Sequence, residues 1–321
     1  MKRKLCSVLL SVFALLLLMG AGPAPEQGVP MVAEEERTAS LDAVPVTDEQ
    51  SESKDGEAAL ETSVEPAEPV EAIQTDNKLL IDGVPTPLTV RKDVRNGVTY
   101  VALVPMAQLL NEAVQVGWYG EHSCVVIMTP NLRIIAQEGK PYVEANGRFL
   151  YVPETVQIVD GATMLPLSVV AECFDAKVAW DGTTDVVNVS RGSGALAPAD
   201  QYYDQDDLFW LSRVIYAESG NQCLEGKMSV GSVVMNRVAS PIYPNTIQGV
   251  LAQKNQFSTY KGGRLAKRTP NKESVIAAKL VLDGGEVKAT EDAYYFDSTG
   301  RSWASRHKEC IAVIGDHYFY G

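Results

Sequence analysis

The sequence predicts an α+β protein in which two folded domains follow a disordered tether, and three observations carry that prediction. Residues 78–191 hold short alternating apolar runs separated by Gly and Asn-Gly turns, the signature of strands and hairpins. Residues 204–321 hold apolar residues at helical spacing, followed by two strand-like runs. Residues 26–76 carry 15 acidic and 2 basic groups with almost no aromatic side chains, so they cannot bury enough apolar surface to offset ordering entropy. A chain of 321 residues with 45% apolar content suits about two such domains. The net charge of −13 falls largely in that one acidic segment. The folded parts are then near neutral, and the basic footprint of a nucleic-acid binder is absent.

At the start, Lys2, Arg3 and Lys4 precede an apolar stretch from Leu5 to Met19 and the small residues Gly20, Ala21, Gly22 and Ala24. This pattern predicts an export signal over residues 1–24, with a retained membrane anchor as the alternative, and so an exported protein. Residues 25–77 follow as the acidic tether. Beyond Cys6, the chain has Cys124, Cys173, Cys223 and Cys310. In an exported chain this even number allows Cys124–Cys173 and Cys223–Cys310 disulfides, or four free thiols.

Within 78–191 one unit occurs twice. Asn96-Gly97 and the strand to Leu103 lead into the helical run Val104–Glu112, then Val116-Gly117-Trp118-Tyr119-Gly120 and the strand Cys124–Met128. Asp160-Gly161, the strand to Leu167, Ser168–Phe174, Val178-Ala179-Trp180-Asp181-Gly182 and Val186–Val189 repeat that order. The segment resembles the stalk-like module named after the N-terminal domain of copper amine oxidases, which implies a binding or spacing role. With His122 as its one histidine it has no copper ligand cluster.

A short Gly/Ala/Pro linker, 192–203, precedes the C-terminal domain. Its first helix carries Leu208, Leu211, Val214 and Ile215 on one face, has Asp206 and Asp207 in its first turn, and ends at Ser219-Gly220-Asn221 with Gly220 as a left-handed cap. Further helices are predicted over 224–237, 246–252 and 271–282, then strands over 293–296 and 311–320 around a loop containing Trp303. Glu218 stands out. It follows Val214-Ile215-Tyr216-Ala217 at the edge of the core, where desolvation favours the protonated form that a general acid needs.

Six segments surround it in order: Tyr216–Gln222, Glu225–Arg237, Tyr243–Ile247, Asn255-Gln256-Phe257-Ser258, Ala293-Tyr294-Tyr295-Phe296 and Ile314–Phe319. Together they closely resemble the cell-wall hydrolase family of the spore-cortex-lytic enzymes (SleB/CwlJ type). That resemblance implies a lysozyme-like fold over 204–321 that cuts the MurNAc–GlcNAc bond of peptidoglycan, in spore cortex or cell wall, as a lytic transglycosylase. It makes Glu218 the catalytic residue and Gln256, Phe257, Ser258, Tyr294, Tyr295 and Asn236 the substrate-binding candidates, with peptidoglycan glycan strands as the partner and no cofactor. For Asn236 and Arg237 the residues themselves favour capping of the second helix. Of Tyr294 and Tyr295, strand alternation allows one to line a cleft. No second carboxylate stands at a recognisable partner position, Asp297 being the nearest candidate, which fits a one-carboxylate route to a 1,6-anhydro product. The alternatives are a Cys/His amidase using Cys223 and His317 and a wall-binding protein without activity. A zinc site is disfavoured, because His122, His307 and His317 lack ligand spacing.

Overall fold

Two-residue Asp-Gly and Asn-Gly hairpins set the architecture of the N-terminal half. The computed structural model describes residues 74–254 and 256–321; the expected export signal and nearly all of the tether lie outside the described residues. Asp82-Gly83, Asn96-Gly97, Asn146-Gly147 and Asp160-Gly161 all have positive φ at both residues, the backbone that closes strands with the native twist. They join β1 (Thr75–Ile81) to β2 (Val84–Pro87), β3 (Lys92–Arg95) to β4 (Val98–Ala102), and, further along, the strands Tyr142–Ala145 to Arg148–Tyr151 and Gln157–Val159 to Ala162–Pro166. After β4 come α1 (Leu103–Leu110), β5 (Gln115–Tyr119), β6 (Cys124–Met128), β7 (Arg133–Gln137), β8 (Tyr142–Ala145) and β9 (Arg148–Tyr151). The second copy supplies β10 (Gln157–Val159), β11 (Ala162–Pro166), α2 (Leu167–Cys173), β12 (Lys177–Asp181) and β13 (Val186–Ser190).

The two copies meet at β4 and β11, which pair antiparallel with Met164 opposite Ala102 and Pro166 opposite Tyr100. Equivalent hairpins then diverge: β5 and β6 open a five-stranded sheet β5-β6-β7-β8-β9, while β12 and β13 open a four-stranded sheet β12-β13-β1-β2. The repeat therefore persists in element order but not in sheet partners. Leu103, Met106 and Ala107 of α1 and Leu167, Val170 and Phe174 around α2 fill the shared core.

The linker expected at 192–203 is instead a docked strut. Leu196 and Tyr203 are buried, the Ala199 N–H donates to the Asn146 carbonyl at 3.0 Å, and residues Ala199–Tyr202 form α3. Then come α4 (Gln205–Ser219), α5 (Leu224–Ala239), α6 (Ile247–Ala252), α7 (Lys272–Leu282), β14 (Tyr295–Asp297), α8 (Trp303–His307), β15 (Cys310–Ile314) and β16 (His317–Tyr320). Asp204, Thr246 and Asn271 cap α4, α6 and α7 by accepting backbone N–H bonds. Helices α4, α5 and α7 pack on one another through Leu211, Ile215, Met228, Val234, Ala277 and Leu280. The last predicted strand is broken by Gly315, whose φ of 58° turns β15 into β16, and β14 pairs with β16. The mixed α+β class is as predicted.

The two halves are joined by apolar packing around Phe149 and by several polar contacts. Phe149 of β9 is buried in the α4–α5–α7 cluster, with Tyr142 and Tyr151 packed against it. Arg148 donates from Nε to Asp283 Oδ1 at 2.8 Å and from Nη2 to Glu172 at 3.2 Å; Tyr203 Oη also donates to Asp283. The Arg148 guanidinium lies 3.4 Å over the Tyr202 ring. Lys279 Nζ donates to the Gly147 carbonyl at 2.8 Å.

One sequence expectation is corrected here, and one open alternative is decided. Gly220 is right-handed, with φ −57° and ψ −26°. A methyl group there would meet the Tyr216 carbonyl oxygen at 2.6 Å, so the glycine answers a close approach rather than a left-handed cap. The four cysteines are free, Cys124 and Cys173 buried and Cys223 and Cys310 exposed. Cys124 opens β6 against Tyr119 and Gln137, whereas Cys173 closes α2. Cys223 is the N-cap residue of α5 and Cys310 opens β15, each with a free thiol.

Candidate active site

Helical spacing carries Glu218 to the mouth of a cleft. It follows Val214 by four residues and Ile215 by three, so it shares their core-facing stripe. Both of those are fully buried, but α4 ends at Ser219 and Glu218 is left half-buried. The Ser219 hydroxyl donates to the Ile215 carbonyl at 2.7 Å and closes the last turn. The Glu218 carboxyl opens onto a cleft of about 560 Å³, shared with Arg237, Gln256, Phe257, Tyr295, Asp297, Trp303 and His317.

The segment after α6 forms one wall. Phe257 is buried and packs against Phe296 with ring centroids 6.5 Å apart, which turns Gln256 outward into the cleft. Thr259 Oγ1 donates to Glu218 Oε1 at 2.8 Å. Ser258 is exposed and is not among the residues lining the cleft; its carbonyl accepts from Arg264 at 3.2 Å.

β14 forms the other wall, and the two tyrosines at its start part ways. Tyr295 lines the cleft, while Tyr294 stacks on Tyr243 at 6.2 Å and 11° and donates its N–H to the Tyr320 carbonyl at 2.9 Å. The ring of Trp303, 53% exposed, sits 5.8 Å from Tyr295, so two aromatic faces flank the opening.

Arg237, on the last turn of α5, is only 3% exposed. Its Nε donates to the Tyr294 carbonyl at 2.8 Å and its Nη1 to Gln256 Oε1 at 2.9 Å. The guanidinium lies 5.2, 5.3 and 5.6 Å from the Tyr295, Tyr243 and Phe257 rings. Burial pulls its pKa below the usual arginine value, opposed by the two tyrosines. Its neighbour Asn236 is not a cleft residue. Asn236 Nδ2 donates to the Glu291 carbonyl at 2.8 Å and the Ala293 carbonyl at 2.9 Å, fixing the approach to β14 rather than a sugar.

Asp297 lies in the cleft with its carboxylate already engaged. Burial opposes ionisation, but hydrogen bonds from the Ser302 hydroxyl, the Thr299 and Gly300 N–H groups and Tyr320 hold its pKa below the usual range. Thr299 and Gly300 donate to Oδ1 at 2.8 and 2.5 Å, and Ser302 to Oδ2 at 2.5 Å. The result is an ionised anchor for the loop that carries Trp303. His317 is buried, and its Nδ1 has no hydrogen-bond partner among the described residues. Burial lowers its pKa from 6.5, partly offset by the Glu218 backbone and by the charges of Asp316, Glu218 and Asp297. Cys223 is not among the residues lining the cleft. Among the described residues no group of three or more His, Cys, Asp or Glu stands close enough to hold a metal ion.

The structure thus brings Glu218, Gln256, Phe257 and Tyr295 together and leaves Ser258, Tyr294 and Asn236 outside. Thr259, Arg237 and Trp303 join the site without having been singled out for it by sequence.

Residues 221–320 match the family model described as Cell Wall Hydrolase, and residues 80–189 match the Copper amine oxidase N-terminal domain. The C-terminal part of the chain is thus similar to the cell wall hydrolase family. Glu218 stands three residues ahead of the matched span, on the helix that leads into it. The chain is similar to curated spore cortex-lytic enzymes. That of Bacillus cereus is 30% identical over 171 residues, covering 50% of this chain and 64% of the relative. That of Oceanobacillus iheyensis is 26% identical over 138 residues, covering 43% and 46%. That of Bacillus subtilis is 27% identical over 119 residues, covering 36% and 38%. The chain thus spans less than two thirds of the length of each of these relatives. Among solved structures, the catalytic domain of the Bacillus cereus SleB protein is 28% identical, with a TM-score of 0.34, covering 37% of this chain and 92% of that one. The catalytic domain of a germination-specific lytic transglycosylase, SleB from Bacillus anthracis, is 28% identical, with a TM-score of 0.34, covering 39% and 100%.

Proposed function

We propose that this cleft cuts the glycan strands of peptidoglycan, in spore cortex or cell wall outside the cytoplasm, with Glu218 as the acid. The observation that carries the reading is a half-buried carboxyl group, oriented by Thr259, in a groove with aromatic walls and an amide. Sugar rings pack their C–H faces on rings such as Tyr295 and Trp303, and amide groups bond their polar substituents. The curated relatives are named spore cortex-lytic enzymes, which supplies the substrate class. The N-terminal Lys-Arg-Lys and apolar run supply the exported location.

The reaction follows from how the two carboxylates of the cleft are used. Asp297 accepts hydrogen bonds from Ser302, Thr299 and Gly300 that anchor the loop carrying Trp303, and we assign it that holding role and both proton transfers to Glu218. Glu218 then works alone. Its proton passes to the glycosidic oxygen as the C1–O bond breaks. The carboxylate left behind takes the proton of the muramyl 6-hydroxyl as O6 closes on C1. Atoms balance without water, and the product is a 1,6-anhydro sugar. Thr259, donating to Oε1, leaves Oε2 to make both transfers.

Digestion of purified sacculi with the full chain, followed by mass spectrometry of the muropeptides, tests the chemistry. Anhydro-muramyl ends are expected; reducing muramyl ends alone would replace this route with hydrolysis.

A further inference from the structure

We infer that Arg237 locks the side-chain amide of Gln256 so that only its NH2 faces the cleft, making this position a reader of the 2-acetamido carbonyl oxygen of an N-acetylated sugar. The inference rests on the reading that the cleft binds peptidoglycan glycan. It begins with an asymmetry of donors. A guanidinium can donate but never accept, so the atom of Gln256 that lies 2.9 Å from Arg237 Nη1 has to be the amide oxygen. Arg237 itself cannot swing away. It is 3% exposed, its Nε is held by the Tyr294 carbonyl at 2.8 Å, and three aromatic rings enclose it.

Gln256 is exposed on the cleft wall, and with its oxygen committed its remaining hydrogen-bonding capacity is two N–H donors. Those donors stand near Tyr295, where a sugar ring would pack. They fit an oxygen that only accepts, as the carbonyl of an acetamido group does. They reject an ammonium group, which brings more donors and no acceptor. The nearest polar partners of the buried Arg237 cation are a backbone carbonyl and an amide oxygen, so it stays charged behind Gln256. The Asp297 carboxylate of the same cleft carries the opposite sign; the selection therefore rests on the two donors of Gln256. Arg237 is thus a positioning residue acting through Gln256, and the pair selects N-acetylated over de-N-acetylated glycan.

The test compares rates of fragment release from native sacculi and from the same sacculi chemically de-N-acetylated, using the full chain and its variants. The parent should favour the acetylated substrate about tenfold in kcat/KM, equivalent to about 1.4 kcal/mol. Gln256→Glu keeps an acceptor for Arg237 but removes both donors. It should raise KM on acetylated sacculi about tenfold with kcat nearly unchanged, and bring the preference to parity or reverse it. Its melting temperature should equal or exceed the parent's, because a neutral bond to Arg237 becomes a charged one. A preference in Gln256→Glu equal to the parent's overturns the inference, and so does a lowered melting temperature. Glu218→Gln separates this from the reading beneath it. Retained cleavage by Glu218→Gln removes the cleft from the chemistry. Its loss, together with an unchanged preference in Gln256→Glu, overturns the amide reader alone.

Discussion

Glu218 differs from the other titratable groups of the cleft in having one defined donor, Thr259, on one of its two oxygens. His317 shows the opposite condition: it is buried and its Nδ1 is unpartnered among the described residues. Because its folded pKa is depressed, both folded and unfolded chains are neutral there above the ordinary value of 6.5. As pH falls below that value the unfolded chain takes up the proton first, so stability is lost until the folded histidine also titrates. The melting temperature of the parent should therefore fall between pH 7 and pH 5 more steeply than that of His317→Gln. Parallel curves would show that His317 carries no such linkage. Sequence placed Glu218 at the end of an apolar helix because a helix end and a run of apolar residues are local, while its role as the acid rests on the family resemblance. Arg237 and Thr259 were not legible as site residues. Arg237 acts on residues 19 and 57 positions away, and Thr259 on one 41 away, and no spacing rule reaches across such loops.

Element boundaries were legible where the chemistry of a turn or cap is written in one or two residues. The Asn-Gly and Asp-Gly hairpins, the Asn271 cap and the duplicated strand–helix–hairpin unit all fall where they were expected. What the repeat could not show is its partners: β5 and β12 occupy equivalent places in the sequence yet form the edges of different sheets. Asn236 carries the clearest prediction at this scale. Its amide ties α5 to the carbonyls of Glu291 and Ala293, the stretch that leads into β14. Asn236→Ala leaves both part-buried carbonyls without that donor and should destabilise the fold by about 1–3 kcal/mol, while KM on sacculi stays within about twofold. Thermal melting and rate measurements on the same preparation check this. A raised KM at unchanged stability would return Asn236 to the substrate.

At the scale of the molecule, the docked strut 192–203 and the Arg148–Asp283 contact bind the repeated module to the C-terminal domain. The sequence presented this stretch as a Gly/Ala/Pro linker because composition records flexibility, whereas the burial of Leu196 and Tyr203 depends on surfaces 50 to 80 residues distant. Burial is the first cause acting on Asp283 and raises its pKa, even with Arg148 and Tyr203 bonding to it. Removing the cation would leave a side chain that is 1% exposed without its counter-charge. Arg148→Met should cost about 3–5 kcal/mol, and Arg148→Met combined with Asp283→Leu should recover most of it. Chemical denaturation of the two variants checks this. A double variant no more stable than the single one would show that the pair does not act as a unit.

The account as a whole turns on Glu218, and the most direct measurement is the release of soluble fragments from purified sacculi by Glu218→Gln beside the parent chain. Glutamine keeps the size of the side chain and its acceptor for Thr259 but has no proton to give a glycosidic oxygen. The account predicts a melting temperature close to the parent's and a rate lowered by at least about 100-fold, the lower end of what general acid catalysis contributes. A folded variant that clears sacculi at the parental rate would contradict it.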